Sequence, residues 1–138
     1  MKIIDKTYQI WYINDKLRNN IKVLNVSFYK STSGNEPVRD WLKQCSSVDK
    51  KAIGEDIKAV EYTWPIGYPK VVKLDKNLWE IRTNLPYGIS RVFFTIWKKY
   101  MVLLHGIIKK TQKTPQQDLE IAKKRRNKVL SGGIEDEK

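Results

Sequence analysis

Apolar residues along the chain recur at two spacings, one typical of strands and the other typical of helices. From Val23 the segment Val-Leu-Asn-Val-Ser-Phe-Tyr alternates β-branched and aromatic residues with other types, and a turn containing Gly34 follows. This pattern predicts the first strand of a main sheet. Lys98 and Lys99 stand where a two-residue hairpin turn joins two later strands. Further strands are predicted at 71–72, 78–83, 89–97 and 100–108.

Helical spacing is found in three other segments. Pro37 opens the first, where a proline is tolerated because the N–H that it lacks would be unpaired. Ser46 or Ser47 can cap the second, which proline and glycine residues end near position 65. The third begins with Thr114 as the cap and Pro115 at the first helical position. The sequence therefore predicts two tandem helices and a C-terminal helix.

The order of these elements indicates the fold class. A strand, two helices, hairpin-connected strands and a last helix predict an α+β fold, an antiparallel sheet with two N-terminal helices packed on it and a C-terminal helix. We expect the helices on one face and the other face open. The 138 residues fit one domain. Segment 1–22 is expected to be an N-terminal extension or extra strand, 23–130 the domain, and 131–138 a disordered tail.

Positive charge dominates the composition. The chain has 27 Lys and Arg against 15 Asp and Glu, a formal net charge of +12, which favours a polyanionic partner. A hydrophobic content of 41% excludes a disordered basic tail and indicates a folded domain with a charged surface. Cys45 is the only cysteine, so no intramolecular disulfide can form. With no apolar stretch long enough for a signal peptide or membrane span, a cytoplasmic location is expected.

Basic residues on neighbouring strands are expected to meet on one face of the sheet. Side chains alternate along a strand, so Glu80 and Arg82 share the face opposite Ile81. Arg91 lies in the next strand, and Lys110 follows the strand after that. Such cations would stabilise the charge that grows on a phosphate attacked by its neighbouring 2′-hydroxyl. We find no cluster with metal-ligand spacing, so neither a metal nor another cofactor is expected.

Five segments carry a resemblance to a known family. Segments 73–82 (Lys-Leu-Asp-Lys-Asn-Leu-Trp-Glu-Ile-Arg) and 103–115 (Leu-Leu-His-Gly-Ile-Ile-Lys-Lys-Thr-Gln-Lys-Thr-Pro) are the most specific when taken together. With 26–30, 37–42 and 89–94, they resemble the HigB-like branch of the RelE/ParE toxin superfamily, whose members belong to type II toxin–antitoxin systems. The resemblance implies a RelE-like fold over most of the chain.

The same resemblance implies an activity and partners. It implies a ribosome-dependent mRNA endoribonuclease that inhibits translation, and a cognate antitoxin, a helix-turn-helix HigA-like protein that links the toxin to operator DNA. Arg82, Arg91 and Lys110 match cationic catalytic positions, and Lys73 matches a basic position before a strand. Replacing either arginine by alanine is expected to abolish toxicity and leave the fold intact.

Proton transfer is less defined by the resemblance. Some relatives use a tyrosine in the C-terminal segment, but no tyrosine follows Tyr100 here. The general acid and base are therefore open among His105, Tyr87 and the lysines. His105 lies inside an apolar strand, so a hydrogen-bonded structural histidine is the alternative interpretation.

Other cations are candidates for RNA contact, although each is also compatible with an ordinary solvated charge or a helix-dipole interaction. They are Lys73, Lys109, Lys113, Lys123, Lys124, Arg125 and Arg126. Two other functions remain open: a ParE-like poison of DNA gyrase, and a non-catalytic basic RNA-binding module. The tryptophans are expected to pack in the core.

Overall fold

The computed structural model describes residues 22–132, so the expectations for 1–21 and 133–138 lie outside the described residues. Within 22–132, no helix combines the length and apolar character needed to cross a bilayer. The helices of this part are α1 (Pro37–Gln44), α2 (Ser47–Thr63) and α3 (Gln116–Gly132). The strands are β1 (Asn25–Phe28), β2 (Val71–Asp75), β3 (Leu78–Leu85), β4 (Gly88–Trp97) and β5 (Tyr100–Lys109).

The strands form one mixed sheet in the order β1-β5-β4-β3-β2. The strands from β2 to β5 are antiparallel neighbours in chain order, as the hairpin pattern predicts. The first strand β1 instead pairs in parallel with β5, with Asn25 beside Tyr100. The long segment that separates β1 from β5 in sequence allows parallel pairing, because only a short hairpin connection forces two strands to be antiparallel. The α+β fold class is thus confirmed, with one parallel pair in the sheet.

Helices cover both faces of the sheet, which corrects the expectation of an open face. On one face α1 and α2 pack over a core that contains Ile53, Val60 and Ile81. On the other face α3 contributes Ala122 and Val129 to a second core. The strand residues of that second core include Leu78, Phe93, Val102, Leu104 and Ile107. Side chains on the face that carries Arg82 therefore lie under or beside α3.

Local signals in the sequence account for several element boundaries. The Ser46 side chain accepts a hydrogen bond from the backbone N–H of Asp49 at 3.1 Å, which satisfies an otherwise unpaired donor at the start of α2. At the β4–β5 turn, Lys98 adopts a positive φ of 57°, and its ammonium group lies 4.4 Å from the Trp97 ring centroid. Trp41, Trp64, Trp79 and Trp97 all pack, partly buried, against the two cores.

A β-bulge in β5 turns a polar side chain toward α3. Phe93 pairs with His105 and Phe94 pairs with Leu103, so Leu104 is an extra residue on β5. Leu104 packs in the core beneath α3, and His105 contacts Asp118 of α3. Both side chains therefore point to the same face, where strict alternation would separate them.

Gly106 lies directly against the Trp41 ring of α1, and a Cβ placed there would lie 2.4 Å from ring atom Cε3. We therefore expect Gly106→Ala to lower the free energy of unfolding by about 1–3 kcal/mol, because this core contact leaves no room for a methyl group. Urea denaturation measures the change. As the control, Gly54→Ala in α2 meets nothing within 4 Å and should be neutral or slightly stabilising. Wild-type stability of Gly106→Ala would show that the contact is not tight.

Candidate active site

A buried carboxylate on β3 organises the cationic cluster predicted from the sequence. Glu80 is fully buried, and its Oε2 atom accepts a hydrogen bond from Arg82 Nε at 2.5 Å. The Thr114 hydroxyl donates to the other oxygen, Oε1, at 3.0 Å. Arg91 Nε lies 3.6 Å from Glu80 Oε2 and forms an ion pair with it. One carboxylate thus holds both arginines and the start of the segment that leads to α3.

Strand register explains why the arginines meet. Arg82 on β3 is directly opposite Arg91 on β4 in the antiparallel pair. Like charges at such positions destabilise a sheet, because the side chains stand only about 5 Å apart. Glu80, two residues before Arg82 on the same face, supplies the negative charge that offsets this repulsion. The three side chains, Glu80, Arg82 and Arg91, are called the Glu80 cluster below.

The Glu80 cluster also fixes the loop between β5 and α3, residues 110–115. The Arg91 Nη2 atom donates hydrogen bonds to the carbonyl oxygens of Thr111 and, at 2.7 Å, of Gln112. Arg82 Nη2 donates to the same Gln112 oxygen at 3.3 Å. Charge-assisted hydrogen bonds of this kind are stronger than neutral ones. The loop is therefore held over the cluster, with Lys110 beside it and exposed.

The two arginines differ in their access to solvent. The Arg82 side chain is 21% exposed, whereas that of Arg91 is fully buried. Burial lowers the pKa of Arg91, the Glu80 carboxylate raises it, and the neighbouring Arg82 lowers it again. Because Arg91 is an interior residue that supports the loop, its replacement by alanine should not leave the fold intact. The burial of Arg91 thus replaces the expectation of an intact fold with the prediction of a destabilised one.

A shallow depression lies next to the Glu80 cluster. It has a volume of about 590 Å³ and is lined by the β3–β4 turn together with Lys110 and Gln112. Tyr87 of that turn is 53% exposed, and its hydroxyl donates to the Asp49 carboxylate of α2. This hydrogen bond raises the pKa of Tyr87, with smaller contributions from desolvation and the Asp49 charge. The phenol therefore keeps its proton near neutral pH.

His105 lies between the sheet and α3. Its Nε2 atom is 2.8 Å from Asp118 Oδ1, and its Nδ1 atom is 3.5 Å from Arg125 Nη1. Register places Glu80, Phe93 and His105 in one row across three strands, so Phe93 stands between the other two. The structure therefore does not place His105 in contact with Glu80. Its position fits the structural alternative given by the sequence.

The remaining predicted cations fall into two groups. Arg125 donates to the Leu104 carbonyl at 2.8 Å, and Arg126 donates to Asp75 Oδ2 at 2.7 Å, so both attach α3 to the strands. Lys123 lies 3.9 Å from Glu120, and Lys73 lies 6.0 Å from the Trp79 ring centroid. The second group is exposed and comprises Lys73, Lys109, Lys110, Lys113 and Lys124, of which Lys110 and Lys113 belong to the loop held by the Glu80 cluster.

Comparison with known families identifies the chain. Residues 40–127 match the family described as Phage derived protein Gp49-like (DUF891), a span of well over half of the 138 residues. The chain belongs to this Gp49-like family. It is a family of RelE/HigB-like toxins from toxin–antitoxin systems, and the general activity associated with it is that of a nuclease. A search among curated proteins found no match.

The Gp49-like chain contains two site features that sequence reasoning missed. Glu80 was expected only to share a face with Arg82, and Thr114 only to cap the last helix, yet they meet through a hydrogen bond. The sequence did contain a signal for the pairing of Glu80 with Arg82, because the side chains of residues i and i+2 of a strand point to the same face. The contact with Thr114 depends on the loop, which strand alternation cannot predict. Among residues 22–132, no three His, Cys, Asp or Glu side chains gather where they could hold a metal ion.

The environment of His105 in the Gp49-like chain leads to a titration prediction. Desolvation lowers its pKa from the ordinary 6.5, and hydrogen bonding to Asp118 only partly offsets this. The neutral ring is thus favoured in the folded state, so the stabilising contribution is present above pH 6.5 and is lost as the pH falls through the lower folded value. His105 is the only histidine, so NMR titration of its ring protons is unambiguous. A pKa at or above 6.5 would contradict the prediction.

Proposed function

We propose that this chain is the toxin of a type II toxin–antitoxin system and cleaves messenger RNA on the ribosome. The observation that carries the proposal is the Glu80 cluster, in which a partly exposed arginine is hydrogen-bonded both to Glu80 and to the loop that contains the exposed Lys110 and Lys113. Fixed cations stabilise developing phosphoryl charge best when they need no rearrangement during the reaction. Family membership supports the toxin role, and the cluster supports nuclease chemistry.

The proposed reaction is an internal transfer at one phosphate. The 2′-oxygen forms a bond to phosphorus, the bond from phosphorus to the 5′-oxygen breaks, and the products carry a 2′,3′-cyclic phosphate and a 5′-hydroxyl. A base takes the proton of the 2′-hydroxyl, and an acid protonates the leaving 5′-oxygen. No step requires a metal or another cofactor.

The residues are assigned roles from their exposure and contacts. Arg82 contacts the scissile phosphate, because its guanidinium is partly accessible while its Nε is anchored on Glu80. Arg91 is a positioning residue that holds the loop carbonyls of Thr111 and Gln112. Lys110, an exposed cation that lines the depression beside the cluster, is assigned a contact with the same phosphate, and the proton of the 2′-hydroxyl passes to solvent water in the open depression.

Two further residues have supporting roles in the proposal. Tyr87 is the proposed proton donor, because its partly exposed phenol lines the same depression. His105 is structural and helps to seat α3 on the sheet through Asp118.

Docking on the ribosome relies on charge. The formal net charge is +12, and Lys109, Lys113 and Lys124 are exposed. Each contact between a lysine and a phosphate releases counterions, so the affinity should fall steeply with salt concentration. We further propose a cytoplasmic location and a helix-turn-helix antitoxin of the HigA-like type.

Induction of the chain alone tests the function. New 5′-hydroxyl ends are expected on translated messages and not on the same messages with a mutated start codon. In a separate assay with purified ribosomes, chelation of divalent metals should leave the cutting pattern unchanged. Growth arrest with DNA damage and intact messages would instead select the ParE-like alternative. Ribosome binding without any cleavage would select the non-catalytic RNA-binding module.

A further inference from the structure

A second concave surface lies at the β1 edge of the sheet, the edge farther from β3. It is formed by β1 and the segment that follows it, by the start of α1 and by the end of α3, and its volume is about 820 Å³. We call it the β1 groove. Three valines from different elements line it: Val26 is partly exposed, whereas Val102 and Val129 are almost fully buried. Apolar side chains of a bound ligand would be removed from water there, which favours binding.

The cations that line the β1 groove outnumber its carboxylates. Lys30, Arg39 and Lys128 line it together with a single acidic residue, Glu36. Glu36 is already paired with Arg39, whose Nε atom lies 2.5 Å from its carboxylate. In the described part of the chain no carboxylate lies within ion-pair distance of Lys30 or Lys128, and both are exposed. The groove therefore suits a ligand that carries negative charge beside apolar groups.

The aromatic residues of the groove favour a peptide over a nucleic acid. Single-stranded nucleic acids bind largely by stacking bases on free aromatic faces. Here the Arg39 guanidinium lies 4.3 Å from the Phe28 ring centroid and covers that ring. Tyr29 is only 8% exposed, and Arg125 lies 5.4 Å from its ring centroid. One face of Phe28 is thus occupied and Tyr29 is buried, whereas an acidic peptide needs only the exposed lysines.

The groove is separate from the Glu80 cluster. The strand order places β5 between β1 and β4, which carries Arg91, a separation of about 10 Å at ordinary strand spacing, and β3 with Glu80 and Arg82 lies one strand farther. A ligand in the groove would therefore leave the cluster uncovered. The groove and the cluster can be tested independently.

We propose that the β1 groove binds an acidic peptide segment of the antitoxin. Its carboxylates face Lys30 and Lys128, and an apolar side chain of the segment packs beside Val26. The proposal rests on the toxin role in the proposed function, because that role supplies the partner. A second copy of the chain is disfavoured as the occupant, since two chains of net charge +12 repel each other.

Binding of the purified cognate antitoxin tests the proposal by isothermal titration calorimetry. A double variant with Lys30→Glu and Lys128→Glu should lose affinity at least tenfold, because both charges would then repel the acidic segment. The matched control is the double variant Lys51→Glu and Lys58→Glu, which reverses the charge of two exposed lysines of α2. It should change affinity less than twofold. Thermal unfolding verifies that both variants fold. Arg82→Ala should bind the antitoxin like the wild type.

Several outcomes would overturn the proposal. One is equal affinity of the groove variant and the control variant. A second is that the groove variant alone loses binding to a single-stranded RNA oligonucleotide while its antitoxin affinity is unchanged. A third is that the chain forms a dimer that the groove variant alone disrupts. Cleavage is assayed separately. If antitoxin binding depends on the groove while the wild type cuts no message, the nuclease proposal fails and the groove assignment stands.

Discussion

A Glu80→Gln variant is expected to lose about 3–5 kcal/mol of unfolding free energy, the cost of removing one partner from a buried ionic network. Glu80 is fully buried and offsets the charges of Arg82 and Arg91. Glutamine keeps the shape of the side chain and one oxygen acceptor, but it leaves two guanidinium charges without a counterion. The loop held by those guanidiniums should loosen as well, so cleavage should fall together with stability.

Urea denaturation followed by circular dichroism measures the Glu80 effect. Glu55→Gln is the matched control, because it removes the same charge from an exposed position of α2. Surface substitutions of this type usually change stability by less than about 0.5 kcal/mol. If Glu80→Gln and Glu55→Gln unfold at the same urea concentration, the cluster does not depend on the carboxylate, and the proposed geometry of the loop loses its basis.

Arg82→Ala is expected to reduce the cleavage rate on programmed ribosomes by about 10²–10³-fold, the usual effect of removing one fixed group that stabilises transition-state charge. Its side chain is 21% exposed, so a folded protein should remain. Arg82→Lys tests geometry separately from charge, because lysine keeps the positive charge and lacks the planar fork that binds Glu80 and the Gln112 carbonyl together. We expect the lysine variant to recover only a small part of the activity.

Single-turnover cleavage of a defined message on purified ribosomes measures the Arg82 effect. Lys51→Ala removes one exposed cation of α2 and should keep the wild-type rate. Arg91→Ala should differ from Arg82→Ala by unfolding at a lower temperature, since Arg91 is fully buried. Wild-type cleavage by a folded Arg82→Ala protein would remove Arg82 from the mechanism.

Much of the fold was predictable because its signals are local. Pro37 and the cap at Ser46 lie at the start of α1 and α2, and the Lys98 turn joins two alternating strands. The position of α3 was not predictable in the same way. Its buried residues are only Ala122 and Val129, too few to indicate which face of the sheet it covers. The parallel β1–β5 pair depends on contacts across most of the chain, which no local pattern encodes.

The candidate site was predictable to a similar degree. Strand alternation correctly placed Arg82 and Glu80 on one face, and the register brings Arg91 opposite Arg82. The burial of Arg91 was not foreseen, because it results from the loop that closes over it after β5. Alternation states only which face a side chain occupies. How far that face is covered depends on the segments packed against it.

The position of β5 in the sheet affects when the chain can fold during its synthesis. This strand lies between β1 and β4, yet it is the last strand within residues 22–132, and the loop that Arg91 holds follows it. A nascent chain that ends before β5 can form neither the pairing of β1 nor the covered Glu80 cluster. The complete sheet and the covered Glu80 cluster can therefore form only after β5 and the loop that follows it have been translated.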